Sequence, residues 1–319
     1  MQTPKVDLHL HLDGSLLPGT IAELHREKLG FDLPKNALVS ITEGQPTLTE
    51  YLEYFKYPIL VVEDNLKALE RVAYEMVRRL NQNNVRYAEV RYAPQLLTKL
   101  KSVRTYTEII LAVNNGFLLG MKDYPGTIVK TIICLMRGLP YEINRDTYEA
   151  VKKVSLQDIV ALDLAGDEIN FSGEEYKDIF QDAKENDYHL TIHAGEGRGP
   201  ESIRLALDFG AERIGHGLSL HLDEHLLAEL AERKICIESC PISNFQTGAA
   251  LRYGYNIKDY LLKGVPVTVN TDNLTVSNTN LDKEFQYLKE QYLFTEEDLE
   301  KMRRYSLLYA FTDNLKNLL

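Results

Sequence analysis

The sequence predicts an α/β protein folded as a TIM (β/α)8 barrel with a long helical insertion after the first strand, and three observations carry that expectation. Eight short β-rich runs, at 4–12, 85–92, 127–136, 159–164, 189–193, 213–216, 234–239 and 266–271, recur with helical patterns between them. Strand alternating with helix implies parallel pairing, and eight such units joined by right-handed crossovers close into a barrel. The length of 319 residues suits a single domain spanning 1–319, since such barrels take roughly 250 residues plus insertions. The third observation is strict alternation in the first run, Val6-Asp7-Leu8-His9-Leu10-His11-Leu12-Asp13. Side chains along a strand point to opposite faces in turn, so the aliphatic residues form one face and Asp7, His9, His11 and Asp13 the other. A barrel gives both faces a use, one toward the helices and one toward the axis.

After this run comes a connection of about 70 residues, far longer than an ordinary barrel loop. It carries helical patterns at 18–29, 48–57 and 65–80, and the insertion, about 14–84, is expected to cover the active face as a lid. Within it Leu48, Tyr51, Leu52 and Phe55 recur at i, i+3, i+4 and i+7, the spacing of one helix face. Packing on the barrel rim and forming a hydrophobic wall for a substrate both fit that stripe. Later helices carry clear punctuation: Pro200 opens the pattern 201–209 and Gly210 closes it, while 256–263 ends at Gly264, as an early proline and a late glycine imply.

Composition narrows the setting. The net charge of −11, from 36 basic and 47 acidic residues, argues against nucleic-acid polymers, whose binding needs clustered Lys and Arg. There is no uninterrupted apolar run near 18 residues, and the first strand begins by Lys5, which leaves no room for a signal peptide ahead of it. A cytoplasmic protein with no membrane association is expected; the sequence names no protein partner. Cys134, Cys236 and Cys240 lie in apolar runs without structural-zinc spacing, and read as buried core residues of a reducing compartment.

Barrels of this kind gather their chemistry at the carboxyl ends of the strands. Here the first run ends in His9, His11 and Asp13, the fourth in Gly166-Asp167-Glu168, the fifth in His193-Ala194-Gly195-Glu196, the sixth in His216 and the eighth in Asp272-Asn273. Taken alone, a strand-end histidine is an ordinary hydrogen-bonded residue. Taken together, three imidazoles and a carboxylate make a nitrogen and oxygen donor set suited to zinc or a related divalent ion such as cobalt or iron. His9 and His11 sit about 7 Å apart along a strand rising roughly 3.3 Å per residue. Asp272 belongs with them by parity: the valines of Val267-Thr268-Val269-Asn270-Thr271-Asp272 face outward, which sends Thr268, Asn270 and Asp272 to the axis beside the first strand.

With these residues in place, the chain resembles the adenosine deaminase family of the metal-dependent amidohydrolases. The match runs in order through His9-Leu10-His11-Leu12-Asp13-Gly14-Ser15, Ala88-Glu89-Val90-Arg91-Tyr92, Asp163-Leu164-Ala165-Gly166-Asp167-Glu168, His193-Ala194-Gly195-Glu196, Gly215-His216-Gly217, Cys240-Pro241-Ile242-Ser243-Asn244 and Asn270-Thr271-Asp272. The resemblance implies one zinc ion held by His9, His11, His193 and Asp272, and with water as a fifth ligand it exceeds the three protein ligands usual in catalytic zinc sites. It further implies that His216 positions the attacking water, that Glu196 exchanges a proton with ring nitrogen 1, and that the Gly166 backbone donates to ring nitrogen 3. Asp13 would accept the ribose 5′-hydroxyl. Related adenine and aminodeoxyfutalosine deaminases usually carry Glu there, so Asp13 leans toward a nucleoside. Well-known members follow the zinc-binding Asp with a second Asp, thought to be protonated so that it donates to ring nitrogen 7. This chain has Asn273, whose NH₂ donates without a raised pKa.

The activity so implied is hydrolytic deamination of adenosine and 2′-deoxyadenosine to inosine and 2′-deoxyinosine plus ammonia, by a zinc-activated water attacking purine carbon 6. A sister reading keeps the site and changes the ligand to adenine, aminodeoxyfutalosine or a 5′-modified adenosine. A barrel that merely binds purine or metal is the non-enzymatic alternative, and it leaves Glu196 and His216 without a task. The Pro-Cys-x-x-Cys half of the nucleic-acid deaminases' signature is missing from this sequence.

Overall fold

The computed structural model describes residues 4–35, 37–41, 48–312 and 315, and within them the side chain of Thr49 is not described. Residues 36 and 42–47 of the expected insertion, and the outermost ends of the expected 1–319 domain, lie outside the described residues.

Eight parallel strands follow one another in spatial order as in sequence: β1 (Lys5–His11), β2 (Val85–Tyr92), β3 (Ile128–Met136), β4 (Ile159–Ala165), β5 (His189–Ala194), β6 (Arg213–His216), β7 (Cys236–Ser239) and β8 (Val267–Val269). A bridge between Leu10 and Asp272 brings β8 back to β1. There the His11 N–H donates to the Asp272 carbonyl at 2.7 Å and the Asp272 N–H to the His9 carbonyl at 2.9 Å. The TIM barrel expected from the alternation is the fold of this chain. No helix among the described residues is long and apolar enough to cross a membrane.

Differences from the sequence reading have local causes. The run 234–239 begins as strand only at Cys236 because Lys234, at φ 58°, closes the helix Glu224–Arg233 in the left-handed region. The pattern 48–57 is not one helix. It forms an α-turn over Leu48–Leu52, a 3-10 turn over Glu53–Phe55, and a fresh helix over Lys56–Val62. Pro58 explains the restart, since a residue without an N–H is tolerated in a first helical turn and not in an interior one. Asn65 is a cap, its side chain accepting from the Ala68 N–H at 3.1 Å, and the helix it starts is Leu66–Gln82. That helix packs on β2 and on the helix Val103–Asp123, as the first helix of the barrel's outer ring. The covering part of the long connection is thus the segment before it. Gly210 and Gly264 close their helices at φ 95° and 90°.

Parity in β1 holds toward its carboxyl end and breaks before it, where the register with β2 shifts between Asp7 and Leu10. Leu10 and Leu12 join the main apolar core with Val267 and Val269, whereas Val6 and Leu8 pack in a separate cluster with Tyr87, Leu307 and Leu315, and the Asp7 carboxylate accepts from the Thr271 hydroxyl at 2.6 Å instead of joining His9 and His11. The inward faces hold an ionic network. Arg91 pairs with Asp163 at 2.8 Å and Glu238 at 3.0 Å, and Arg213 pairs with Glu238 at 2.6 Å and with Glu89. All five are buried, so each charge needs its partner, because an unpaired ion in this medium costs several kcal/mol. Below it, Phe311 stacks under the Arg213 guanidinium at 3.6 Å and its N–H donates to Glu89 at 2.6 Å.

Candidate active site and metal centre

At the carboxyl ends of the strands a cavity opens, lined by His11, Asp13, Gly166, His193, Glu196, His216, Asp272 and Asn273 together with the covering segment. Apolar walls with a few convergent polar groups are the make-up of a small-molecule site. Of the predicted site residues, only His9 does not line it, because it lies one layer deeper, fully buried.

The four predicted ligands converge. His11 Nε2 lies 3.2 Å from His193 Nε2, and one Asp272 carboxylate oxygen, Oδ1, is 3.6 Å from His9 Nε2 and 3.5 Å from His11 Nε2. His9, His11 and His193 form one donor group within ligating reach, and His9, His216 and Asp272 form another. The residues fit a divalent ion on three counts. His9 Nε2 is a buried atom with no hydrogen-bond partner. The opposite nitrogens are committed: His9 Nδ1 meets Glu238 at 2.8 Å and His193 Nδ1 meets Asp163 at 2.8 Å, the outer-sphere carboxylate arrangement that fixes a ligating tautomer. Third, burial holds His11 well below its ordinary pKa and lowers His193, leaving neutral imidazoles as metals require.

The strands impose unusual backbone here. His216 and Asp272 have φ of 66° and 57°, a region that costs a non-glycine residue on the order of 1–3 kcal/mol and marks functional positions. The Ser243 hydroxyl donates to Asp272 Oδ2 at 2.5 Å. His216 is held by the Asn244 carboxamide at 2.8 Å from Nδ1, and its Nε2 stands 3.7 Å from Glu196 Oε2. Burial keeps His216 neutral, well below its ordinary pKa. For Glu196 burial works the other way, with the nearby Asp272 charge adding to it, and the carboxyl is pushed up to about 8. Thr247 donates to its Oε1 at 2.9 Å. A neutral carboxylic acid beside a neutral imidazole is a proton donor next to a proton acceptor.

The loop carrying Glu196 is tied down by Glu168, whose carboxylate accepts from the N–H groups of Gly195, Glu196 and Gly197 at 2.7, 3.0 and 2.6 Å. Asp13 places Oδ1 in the cavity wall, buried, 3.9 Å from His11 Nδ1 and without a hydrogen-bond partner. Gly166 lines the cavity at φ 96°. Leu48, Tyr51, Leu52 and Phe55 line it too, so the stripe faces the cavity rather than only the rim. Cys134, read as core, is buried but also reaches this cavity, while Cys236 and Cys240 are buried.

Sequence reasoning quoted Asp163, Glu168, Ser243 and Asn244 inside motifs without giving them tasks, and it passed over Glu238 and Thr247. Strand parity would have found Glu238, an acid flanked by Ile237 and Ser239 on β7 with its side chain toward the axis. Thr247 has no such signal, because it follows the short helix Pro241–Gln246.

Comparison with known proteins agrees with this geometry. A family model described as adenosine deaminase matches residues 4–318. Adenosine deaminases of Haemophilus ducreyi and Clostridium kluyveri are 34% and 36% identical over 97% of this chain, covering 92% and 89% of those proteins. Among solved structures, adenine deaminase from Arthrobacter aurescens has a TM-score of 0.85 at 22% identity, covering 99% of this chain and 97% of its own. A Burkholderia ambifaria amidohydrolase with bound zinc has 0.85 at 21%, over 98% and 86%. These two speak for the fold; the family model and the curated relatives speak for more, and on them the chain is a hydrolase that belongs to the adenosine deaminase family.

Proposed function

We propose that this chain, acting as one domain, hydrolytically deaminates adenosine and 2′-deoxyadenosine to inosine and 2′-deoxyinosine, releasing ammonia. The observation that carries the reading is the pairing of Glu196, a carboxyl kept protonated near neutral pH, with the neutral His216 beside four converging metal donors. A barrel that only stored metal or purine would have no use for that pair.

The metal is proposed to be zinc, held by His9, His11, His193 and Asp272; when bound it lowers the pKa of water toward about 7. The relative with bound zinc supports the choice. His216 is neutral, and with the otherwise unpartnered carboxamide oxygen of Asn244 turned to accept from Nδ1–H, its Nε2 is free to accept a proton from the attacking water and direct its oxygen at carbon 6 of the purine. Addition there pushes electron density to ring nitrogen 1. Glu196 donates its proton to that nitrogen, and the resulting carboxylate then helps carry a proton to the departing amine. Gly166 offers its backbone N–H to ring nitrogen 3 and Asn273 its amide N–H to ring nitrogen 7.

Asp13 supports a nucleoside over a free base. Its buried Oδ1 lacks a donor, and a 5′-hydroxyl would supply one. A 5′-phosphate would meet like charge. Leu48, Leu52 and Phe55 close an apolar wall over the base, excluding bulk water from the developing charge.

The deciding experiment is an ultraviolet assay of adenosine conversion to inosine, with and without chelator. Conversion that chelator abolishes and zinc restores is the expected result. Turnover of adenine equal to that of adenosine would favour the free-base reading instead.

A further inference from the structure

Tyr51 is the one member of the covering stripe that carries a hydroxyl, and that hydroxyl is engaged with the end of β8. Its ring packs with Ile41, Leu48 and Val276, and the residue is 3% exposed. The Asn273 Nδ2 donates to the Tyr51 hydroxyl at 2.8 Å, and the same hydroxyl lies 2.8 Å from Ser277 Oγ. The other end of the carboxamide is different in kind. Oδ1 of Asn273 is buried with no hydrogen-bond partner and packs so tightly on Gly14 that a Cβ there would come within 1.7 Å of it.

A carboxamide at this position supplies a donor without a raised pKa, but it brings an ambiguity a protonated carboxyl lacks. Turned over, it presents an oxygen where it had presented N–H groups. Ring nitrogen 7 of a purine is an acceptor, so one orientation binds it and the other repels it. Gly14 offers neither end a partner, and the choice falls to Tyr51. With its own proton directed to Ser277 Oγ, the Tyr51 hydroxyl can only accept from Asn273, which draws Nδ2 to that side. One N–H is then spent on Tyr51 and the second is left for the cavity that Asn273 lines.

We propose that Tyr51 is a positioning residue that sets the orientation of the Asn273 carboxamide, so that its free N–H reads ring nitrogen 7 of the bound purine. Because Tyr51 rides on the segment covering the cavity, the donor is set only while that segment is seated. Recognition of the base and closure over it become one hydrogen-bonded chain, Asn273 to Tyr51 to Ser277. The inference rests on the purine reading of the site.

The test compares competitive inhibition by inosine and by 7-deazainosine, which carries C–H in place of ring nitrogen 7, in the wild-type holoenzyme and in Tyr51→Phe. Removing the hydroxyl frees the amide to turn, so inosine affinity falls about 5- to 10-fold, the worth of one hydrogen bond, and 7-deazainosine affinity holds. A general loosening of the cover weakens both ligands equally, and that result overturns the proposal, as does unchanged inosine affinity. Ser277→Ala gives an independent reading should the phenylalanine variant fail to fold. Without Ser277 the Tyr51 proton turns to the carboxamide, Oδ1 takes the place of Nδ2, and the same selective loss follows; an unaltered ratio of the two affinities overturns the proposal. Failure of the purine reading looks different, since the wild-type enzyme would then neither convert adenosine nor bind inosine.

Discussion

Nδ1 of His9 lies 2.8 Å from Oε2 of Glu238, and neither side chain reaches solvent. Burial alone would protonate Glu238, yet Arg91 and Arg213 beside it outweigh burial and hold the carboxyl well below its ordinary range. An ionised carboxylate only accepts, so His9 carries a proton on Nδ1, and Nε2 is the atom turned toward the other donors. Asp163 imposes the same tautomer on His193 while paired to the same Arg91. The ionic interior of this barrel therefore prepares the ligands above it.

Glu238→Gln follows from that relationship. The amide no longer forces the His9 proton to Nδ1 and leaves two buried guanidiniums short of a counter-charge. Metal affinity is expected to drop 10- to 100-fold, and stability by about 3–5 kcal/mol, as when one partner of a buried pair is removed. Metal content after dialysis against graded chelator, together with a denaturant midpoint, checks both. Unchanged values for both would show that Glu238 does not set the ligand.

Removing the metal should also loosen the top of the barrel, because its donors come from β1, β5 and the chain just past β8. Any ion that binds only the folded state stabilises it by mass action, about 2.7 kcal/mol at a concentration 100 times its Kd. Calorimetry of the chelator-treated protein should show a lower midpoint that rises with added zinc. A midpoint indifferent to chelator and zinc would argue against a resident ion.

Glu196→Gln removes the proposed proton donor and keeps the shape. Deamination should fall at least ~100-fold with metal content retained. The pH profile of the wild type should show an alkaline limb with matching sign: only the protonated carboxyl can donate, so turnover falls as pH rises through its pKa. Burial places that pKa at about 8, and a bound cation nearby would favour the carboxylate, so the limb lies at or below that value. A wild-type rate flat to pH 9 would exclude Glu196 as the acid.

Much of this was legible in the sequence because two periodicities did the sorting. The period of two in β1 assigned Leu10 and Leu12 outward and His11 inward, and the fold obeys it; nearer the start of the strand a register shift between Asp7 and Leu10 interrupts it, and Asp7 bonds Thr271 instead of sharing the metal-facing side. Strand ends were legible because Gly and Pro punctuate the intervening helices. What escaped was whatever depends on a partner far away in the chain. Glu238 gains its meaning from His9, Arg91 and Arg213, and Thr247 from Glu196, pairings that no local window contains. The break of the covering helix near Pro58 was readable in principle, but the i, i+3, i+4, i+7 stripe masked it, since its residues share a face even across the 3-10 turn.

Asp13 offers the sharpest test of substrate class. Its Oδ1 is buried beside the cavity with nothing donating to it, a situation that costs about 1–3 kcal/mol unless a ligand repairs it. If the ribose 5′-hydroxyl is that donor, Asp13→Ala lowers kcat/KM for adenosine by about 10- to 100-fold, the range of a hydrogen bond to a charged group. For 5′-deoxyadenosine, which has no hydroxyl to give, the same substitution should leave kcat/KM unchanged or raise it, because an unpaired carboxylate has been taken out of the wall. Equal losses on the two substrates would mean that Asp13 supports the loop after β1 and does not read the sugar.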